Sequence, residues 1–308
     1  MKTGLYILPL TVLLLTAACD STDPGAFEEA YVVEGYLVAA EPLQPVRLSR
    51  TTLINQRYDF TALAVRDATV RVHLLAPDGS IEATVAFQEN EEEPGVYLPE
   101  DHRTRVQPLR TYRLDVEVPG TRDRIAATTV VPDTFSVVAV NTDTVVYQGT
   151  EQFEMTMTRS RSPGREQSYY IFVTEALDPR EEHLTPLVKD FFDSQDGDIT
   201  LDDLRVNGST ILNEETFDLN ADGTITIKYP WLAVAFFGPN RVSTNAIDDN
   251  LYDHIRSQMV QQGGSTFSPG EIPNVIEHVE GAHGVFGSYA RVSHDLLVLR
   301  PDFSERTP

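Results

Sequence analysis

Val70-Arg71-Val72-His73-Leu74-Leu75-Ala76-Pro77-Asp78-Gly79-Ser80-Ile81-Glu82-Ala83-Thr84-Val85-Ala86-Phe87 is the stretch from which the fold follows. Val70, Val72 and Leu74 alternate with Arg71 and His73, and Ile81, Ala83, Val85 and Phe87 alternate again after Asp78-Gly79. Period two places successive side chains on opposite faces of a strand. An Asp-Gly pair between two such runs is a strong hairpin signal, because glycine adopts the positive φ that a tight turn needs. The same pattern extends outward. Tyr31 to Val38 is rich in β-formers, Val46 and Leu48 alternate with Arg47 and Ser49, and Tyr112, Leu114, Val116 and Val118 alternate before Ile125 to Val131. Short strands at this spacing, each with one polar face, predict an Ig-like or transthyretin-like β-sandwich over 30–131. Pro132-Asp133 breaks the pattern and marks the expected domain boundary.

The remainder, 132–308, reads as a second β-rich domain with one amphipathic helix, so the fold class is mainly β. Strands are expected at Phe135–Val140, Phe153–Met157, Tyr169–Thr174, Thr224–Tyr229 and Trp231–Phe237, with closing strands after Val275. Leu251, Ile255 and Met259 share one face at helical spacing, which predicts a helix near 249–262. Asp248 or Asp249 caps its start and Gly263-Gly264 ends it. The acid-rich stretch Leu184 to Asn213 reads as a long excursion holding at most one short helix.

The N-terminus reads as an export signal. Lys2 precedes an apolar run from Leu5 to Leu15, and Thr16-Ala17-Ala18 leads into the chain's single cysteine, Cys19. A charged start, a short apolar core and a small-residue exit define a secretory signal peptide, and this core is shorter than the roughly 20 residues a bilayer span needs. A cysteine at the cleavage point is the acyl acceptor of a lipoprotein. The expectation is a signal peptide over 1–18, lipidation at Cys19, a polar tether over 19–29, and a lipid-anchored protein of the cell envelope.

Acids outnumber bases by 47 to 24, a formal net charge of −23, and only Lys2, Lys189 and Lys228 are lysines. Such a surface repels nucleic acid and anionic membrane faces. With one cysteine there is no internal disulfide, so packing must hold the fold. No Gly-x-Ser-x-Gly elbow, His-Glu-x-x-His, Walker loop or dinucleotide fingerprint is present, and the reading is non-enzymatic. Abundant carboxylates keep a surface hydrolase as a lesser alternative.

Two local motifs bear on chemistry. Asp218, Asn220 and Asp222 alternate before Gly223, which is how an EF-hand-type calcium loop begins. Its twelfth position is Tyr229 where a bidentate Glu is required, and Ile225, Ile227 and Tyr229 alternate as a strand. The two readings are a weak structural calcium site, completed from Glu214 or Glu215, and a plain hairpin turn. A calcium-stabilised adhesion or structural protein is the functional alternative that this loop keeps open. His278 and His283 sit among Glu277 and Glu280, yet five residues apart in a glycine-rich turn, a spacing that favours a surface loop over zinc. Tyr169, Tyr170, Tyr229, Trp231, Phe236 and Phe237 gather in the second half, where core packing is the expectation.

Val33-Glu34-Gly35-Tyr36-Leu37 with Val46-Arg47-Leu48-Ser49, the Tyr169-Tyr170 strand, the helix Leu251–Met259 and the segment from Ile272-Pro273-Asn274-Val275 to Gly284-Val285-Phe286-Gly287 carry a resemblance. Together they resemble the domain-of-unknown-function family 4249, over nearly the whole mature chain. The resemblance implies an exported lipoprotein of Gram-negative bacteria, often encoded beside a TonB-dependent outer-membrane receptor. It implies a setting and no mechanism. The expected role is therefore a non-enzymatic accessory or ligand-binding partner of such a receptor, with ligand contact in the second half.

Overall fold

The Val70–Phe87 stretch forms the expected hairpin in the computed structural model, with Val70 opposite Phe87 and Val72 opposite Val85. Gly79 takes φ +83 at the turn, and Asp78 Oδ1 accepts from Ser80 N at 3.0 Å. One part of the alternation does not reach the core: Ile81 is half exposed and only Phe87 of the returning strand is buried. Its outer neighbour pairs only with residues 87–89, so the turn end of the hairpin projects past the sheet.

The structure describes residues 27–53, 55–195, 197, 199–263 and 275–301. The export signal, Cys19 and most of the tether lie outside them. In chain order the first half holds β1 (Tyr31–Val38), β2 (Val46–Arg50), β3 (Thr69–Leu75), β4 (Ile81–Glu89), β5 (Val96–Pro99), β6 (Thr111–Glu117) and β7 (Arg124–Val130). The second half holds β8 (Val137–Val140), β9 (Thr144–Val146), β10 (Glu154–Met157) and β11 (Tyr169–Ala176), then α1 (Pro186–Ser194) and β12 (Val206–Gly208). It continues with β13 (Leu212–Asn213), β14 (Asp218–Leu219), β15 (Ile225–Lys228), β16 (Gly238–Ile247), α2 (Asp249–Gly263), β17 (Val279–Glu280) and β18 (His283–Leu299). The chain is mainly β, as the alternation predicts. The expected helix is α2, and α1 is the short one inside the acidic excursion.

Most strands join one large sheet in the order β12-β11-β16-β18-β1-β2-β5-β4-β3-β6-β7-β17, while β14-β15-β10-β8 form a smaller sheet. The large sheet curls so that β7 lies over β18: Thr129 and Ser288 hydroxyls meet at 2.6 Å. The space between is filled by one large apolar core running through both halves, from Val33 and Leu114 to Met155, Tyr170 and Phe286, with two smaller clusters beside it.

Two ladders cross the boundary placed at Pro132. β1 pairs in parallel with β18 from Val32↔His283 to Val38↔Tyr289, and β7 pairs with β17. The expected boundary is thus no break in strand pairing: β18 is long enough to serve β16 on one side and β1 on the other. The crossing is a close fit. Gly284 takes φ +108, and a Cβ there would stand 2.0 Å from the Val33 carbonyl oxygen.

Gly284 and Gly79 separate close approach from turn geometry. Both have positive φ, but nothing lies within 4 Å of a Cβ at Gly79. Gly79→Ala is expected to cost roughly 1–2 kcal/mol, the left-handed penalty alone. Gly284→Ala adds a backbone clash and is expected to cost about 3 kcal/mol or more. Urea unfolding of both variants measures the difference, and equal losses would mean that the β1–β18 contact yields easily.

Candidate functional site

The chain leaves the small sheet at Met157 and enters the large sheet at Tyr169, and residues 158–168 carry it between them. This crossing segment contains Arg159-Ser160-Arg161-Ser162-Pro163-Gly164-Arg165, three arginines with no acid from 155 to 165. Its backbone is tied down from several sides. Thr158 N donates to Ser136 O at 2.9 Å and Asp133 N to Arg161 O at 2.7 Å. Ser160 N donates to the Tyr170 hydroxyl at 3.1 Å, whose pKa burial pushes up to about 12, so it stays protonated. Gly164 turns the segment with φ +82. The result is a polar groove of about 850 Å³ between the two sheets.

Some of its charges are internally consumed. Glu214 is buried, accepts from Ser168 N at 3.1 Å and pairs with Arg159. The Arg165 side chain, 12% exposed, pairs with Asp249 at the start of α2. Its guanidinium lies over Tyr169 at 5.0 Å and Tyr252 at 5.6 Å, and it reaches Ile247 O at 3.4 Å. Other groups keep their valence. Among the described residues, the Arg161 side chain and the carboxylates of Asp133 and Glu166 make no hydrogen bond or ion pair, and the shielded Ser162 hydroxyl has no partner.

Asp222 and Gly223, from the candidate calcium loop, form part of the same groove wall. The structure makes this loop the tip of the β14–β15 hairpin. Asp222 Oδ1 accepts from Thr224 N at 3.0 Å and Thr224 Oγ1 at 2.7 Å, and these bonds hold its carboxyl below the usual range. Asn220 Nδ2 donates to Thr224 and Thr226 hydroxyls at 2.9 and 3.0 Å. Asp218 lies toward Lys228, 3.8 Å away. Glu214 is held by Arg159 and Glu215 accepts from Gln167. Tyr229 turns into the core and bonds Thr244 at 2.8 Å. Among the described residues no group of three or more His, Cys, Asp or Glu is placed to hold a metal.

The two histidines part company. His278 meets Asp253 of α2 at 2.8 Å, while His283 meets Glu277 at 2.8 Å. Tyr170, Tyr229, Phe236 and Phe237 are buried, as core packing predicts. Tyr169 instead stacks on Tyr252 with ring centroids 4.2 Å apart.

Beneath Arg165 lies a polar junction that sequence reading sees only in part. Asp248 caps α2 through Leu251 N at 2.9 Å, as expected. Its other oxygen accepts from Thr129, whose hydroxyl also meets Ser288. Asn250 Nδ2 donates to Thr128 O and Phe286 O, both at 2.8 Å. Burial raises the Asp248 pKa against the lowering by these bonds. A Cβ at Gly287 would stand 2.5 Å from Leu251 Cγ, so glycine there lets α2 seat on β18.

A rolled, mainly β scaffold with a polar groove at the crossing between its sheets is the class of protein these observations define. The sequence profile of the domain of unknown function DUF4249 matches residues 19–295, and the chain belongs to that family. No curated protein matches the sequence. Among solved structures, Salmonella alpha-2-macroglobulin reacted with methylamine aligns at 10% identity and TM-score 0.24, over 88% of this chain and 15% of that one. The three N-terminal domains of the bacteriophage RB49 highly immunogenic outer capsid protein align at 8% identity and TM-score 0.21, over 89% and 71%. This chain thus spans about a seventh of the macroglobulins it matches. Similarity at that level says nothing about what it binds.

Two predictions follow from these bonds. With Asp222 Oδ1 turned back onto Thr224 and Asn220 bonded to Thr224 and Thr226, millimolar calcium is expected to raise the melting temperature no more than magnesium at equal ionic strength. A calcium-specific rise that Asp222→Ala abolishes would assign the ion to the loop. The second concerns Asp248. Its folded pKa is raised, so the folded state binds the proton more tightly than the unfolded chain. Its contribution therefore weakens stability as pH rises from the unfolded value near 4 through the folded one. Asp248→Asn cannot titrate, and the stability difference between wild type and variant is expected to shift towards the variant as pH rises from 4 to 7. A difference independent of pH would show that folding leaves the Asp248 pKa unchanged.

Proposed function

We propose that this protein is an exported, lipid-anchored component of the outer membrane that binds a ligand without turning it over, as accessory to a TonB-dependent receptor. The observation that carries the ligand-binding part is the groove. Arg161, Ser162, Asp133 and Glu166 line it with valences unfilled among the described residues, on a segment anchored by backbone bonds to the core. Buried polar atoms are nearly always satisfied, so an orphan hydroxyl beside a groove points to a partner outside the chain. The Lys2-to-Cys19 segment supports the anchor, and the family resemblance supports the receptor setting.

The mature chain should be labelled by a fatty acid in vivo, and Cys19→Ala should not. Each buried methylene of an acyl chain contributes about 0.8 kcal/mol to attachment, so the variant should fractionate with soluble envelope proteins. From cross-linked outer membranes the wild type is expected to co-purify with a receptor barrel. Equal labelling of both forms would remove the anchor, and recovery without any barrel would remove the accessory role.

A further inference from the structure

The groove's ligand class follows from which of its groups are already used. Arg159 neutralises Glu214 and Arg165 neutralises Asp249, while Asp222 keeps its charge and bonds Thr224 through Oδ1. Among the groove-lining residues, those with no side-chain hydrogen bond or ion pair among the described residues are one guanidinium, two carboxylates and one shielded hydroxyl: Arg161, Asp133, Glu166 and Ser162. Both signs of charge are thus on offer, in a wall whose apolar side chains are only Leu109 and Pro163 among the described residues. An apolar or aromatic ligand gains little burial there. A volume of about 850 Å³ lies within the roughly 300–1,000 Å³ of small-molecule sites.

We infer that the groove binds a zwitterion, an amino acid or short peptide with free ends, its carboxylate on Arg161 and Ser162 and its ammonium on Asp133 or Glu166; this rests on the ligand-binding reading above. Net charge weighs against an anion. At −23 the protein repels a purely anionic ligand as it approaches, and steering of that kind is felt over distances set by screening. A zwitterion carries no net charge and is not repelled, while each of its ends makes short charge-assisted bonds once inside. The fixed backbone adds to this. Asp133 N bonds Arg161 O at 2.7 Å, so the backbones of an acid and a base that differ by 28 positions in sequence are tied together, while their side chains make no ion pair.

Calorimetric titration of the full mature chain tests the inference with four probes: trialanine, its C-terminal amide, its N-acetyl form, and maltotriose. Trialanine is expected to bind the wild type, and blocking either end is expected to cost at least tenfold in affinity. Arg161→Gln should weaken trialanine at least tenfold while leaving the amide where it was, because the lost partner of the guanidinium is the carboxylate. Asp133→Asn together with Glu166→Gln should do the reverse, weakening trialanine but not the N-acetyl form. Arg161 is exposed and unpartnered among the described residues, so its variant should melt with the wild type, and Ser162→Ala supplies a second readout that leaves charge unchanged. No binding of trialanine, or equal binding of all three peptides, overturns the inference. Maltotriose binding that Ser162→Ala weakens, with trialanine silent, would likewise overturn the zwitterion while the groove stands as a ligand site.

Discussion

The parallel ladder between β1 and β18 is the constraint on which the rest of the structure depends. Parallel strands need a crossover connection, and here the connection is nearly the whole protein. β18 lies between β16 and β1, so until the last described strand arrives, β1 has one unpaired edge and β16 lacks a neighbour. The curl that brings β7 over β18 closes the core from the other side, through β17, which precedes β18 by a two-residue turn. Gly281 and Gly284 flank that turn's ends, and a Cβ at either would strike a backbone carbonyl, of Arg124 or of Val33. Glycine is required at both because two ladders converge within four residues. A fold closed this late by such distant pairings has high contact order and is expected to form slowly.

The polar junction under α2 is a consequence of the same closure. Asp248, Thr129 and Ser288 come from three segments that only meet once β7 lies over β18. A buried carboxylate is costly unless hydrogen-bonded, and here both of its oxygens are used, one on the helix and one on the hydroxyl pair. The junction does not end there. Asp249 follows Asp248 and pairs with Arg165, whose segment forms the groove wall. The position of the groove is thus tied, through one ion pair and two aromatic faces, to the helix that the last strands hold in place.

How much of this was legible in sequence depends on the range of the interaction. Alternation and turn chemistry act over a few residues, and Val70–Phe87, the α2 stripe and the Asp248 cap were read from them. The acidic loop was legible as a turn for the same reason: Asp222 bonds a residue two positions away. The sharing of β18 was not, because a strand that pairs on both edges looks like any other apolar alternation. The groove had a local signal that charge balance concealed. Arg159, Arg161 and Arg165 form an acid-free run in a chain of net charge −23, but their partners Glu214 and Asp249 lie far along the sequence. Which arginine stays free is a fact of tertiary structure alone.

That distinction also explains why an acidic protein can keep an exposed arginine unpaired in a groove. Surface ion pairs contribute about 0–1 kcal/mol, too little to move a tethered loop, so a base pairs only where backbone geometry already brings an acid within reach. The bonds from Asp133 N to Arg161 O and from Ser160 Oγ to Asp133 O set the backbone of this corner before any side-chain pairing is decided. They tie the backbones of Arg161 and Asp133 together, and the two side chains make no ion pair. The groove keeps its unspent donors and acceptors because the scaffold, and not charge attraction, places them.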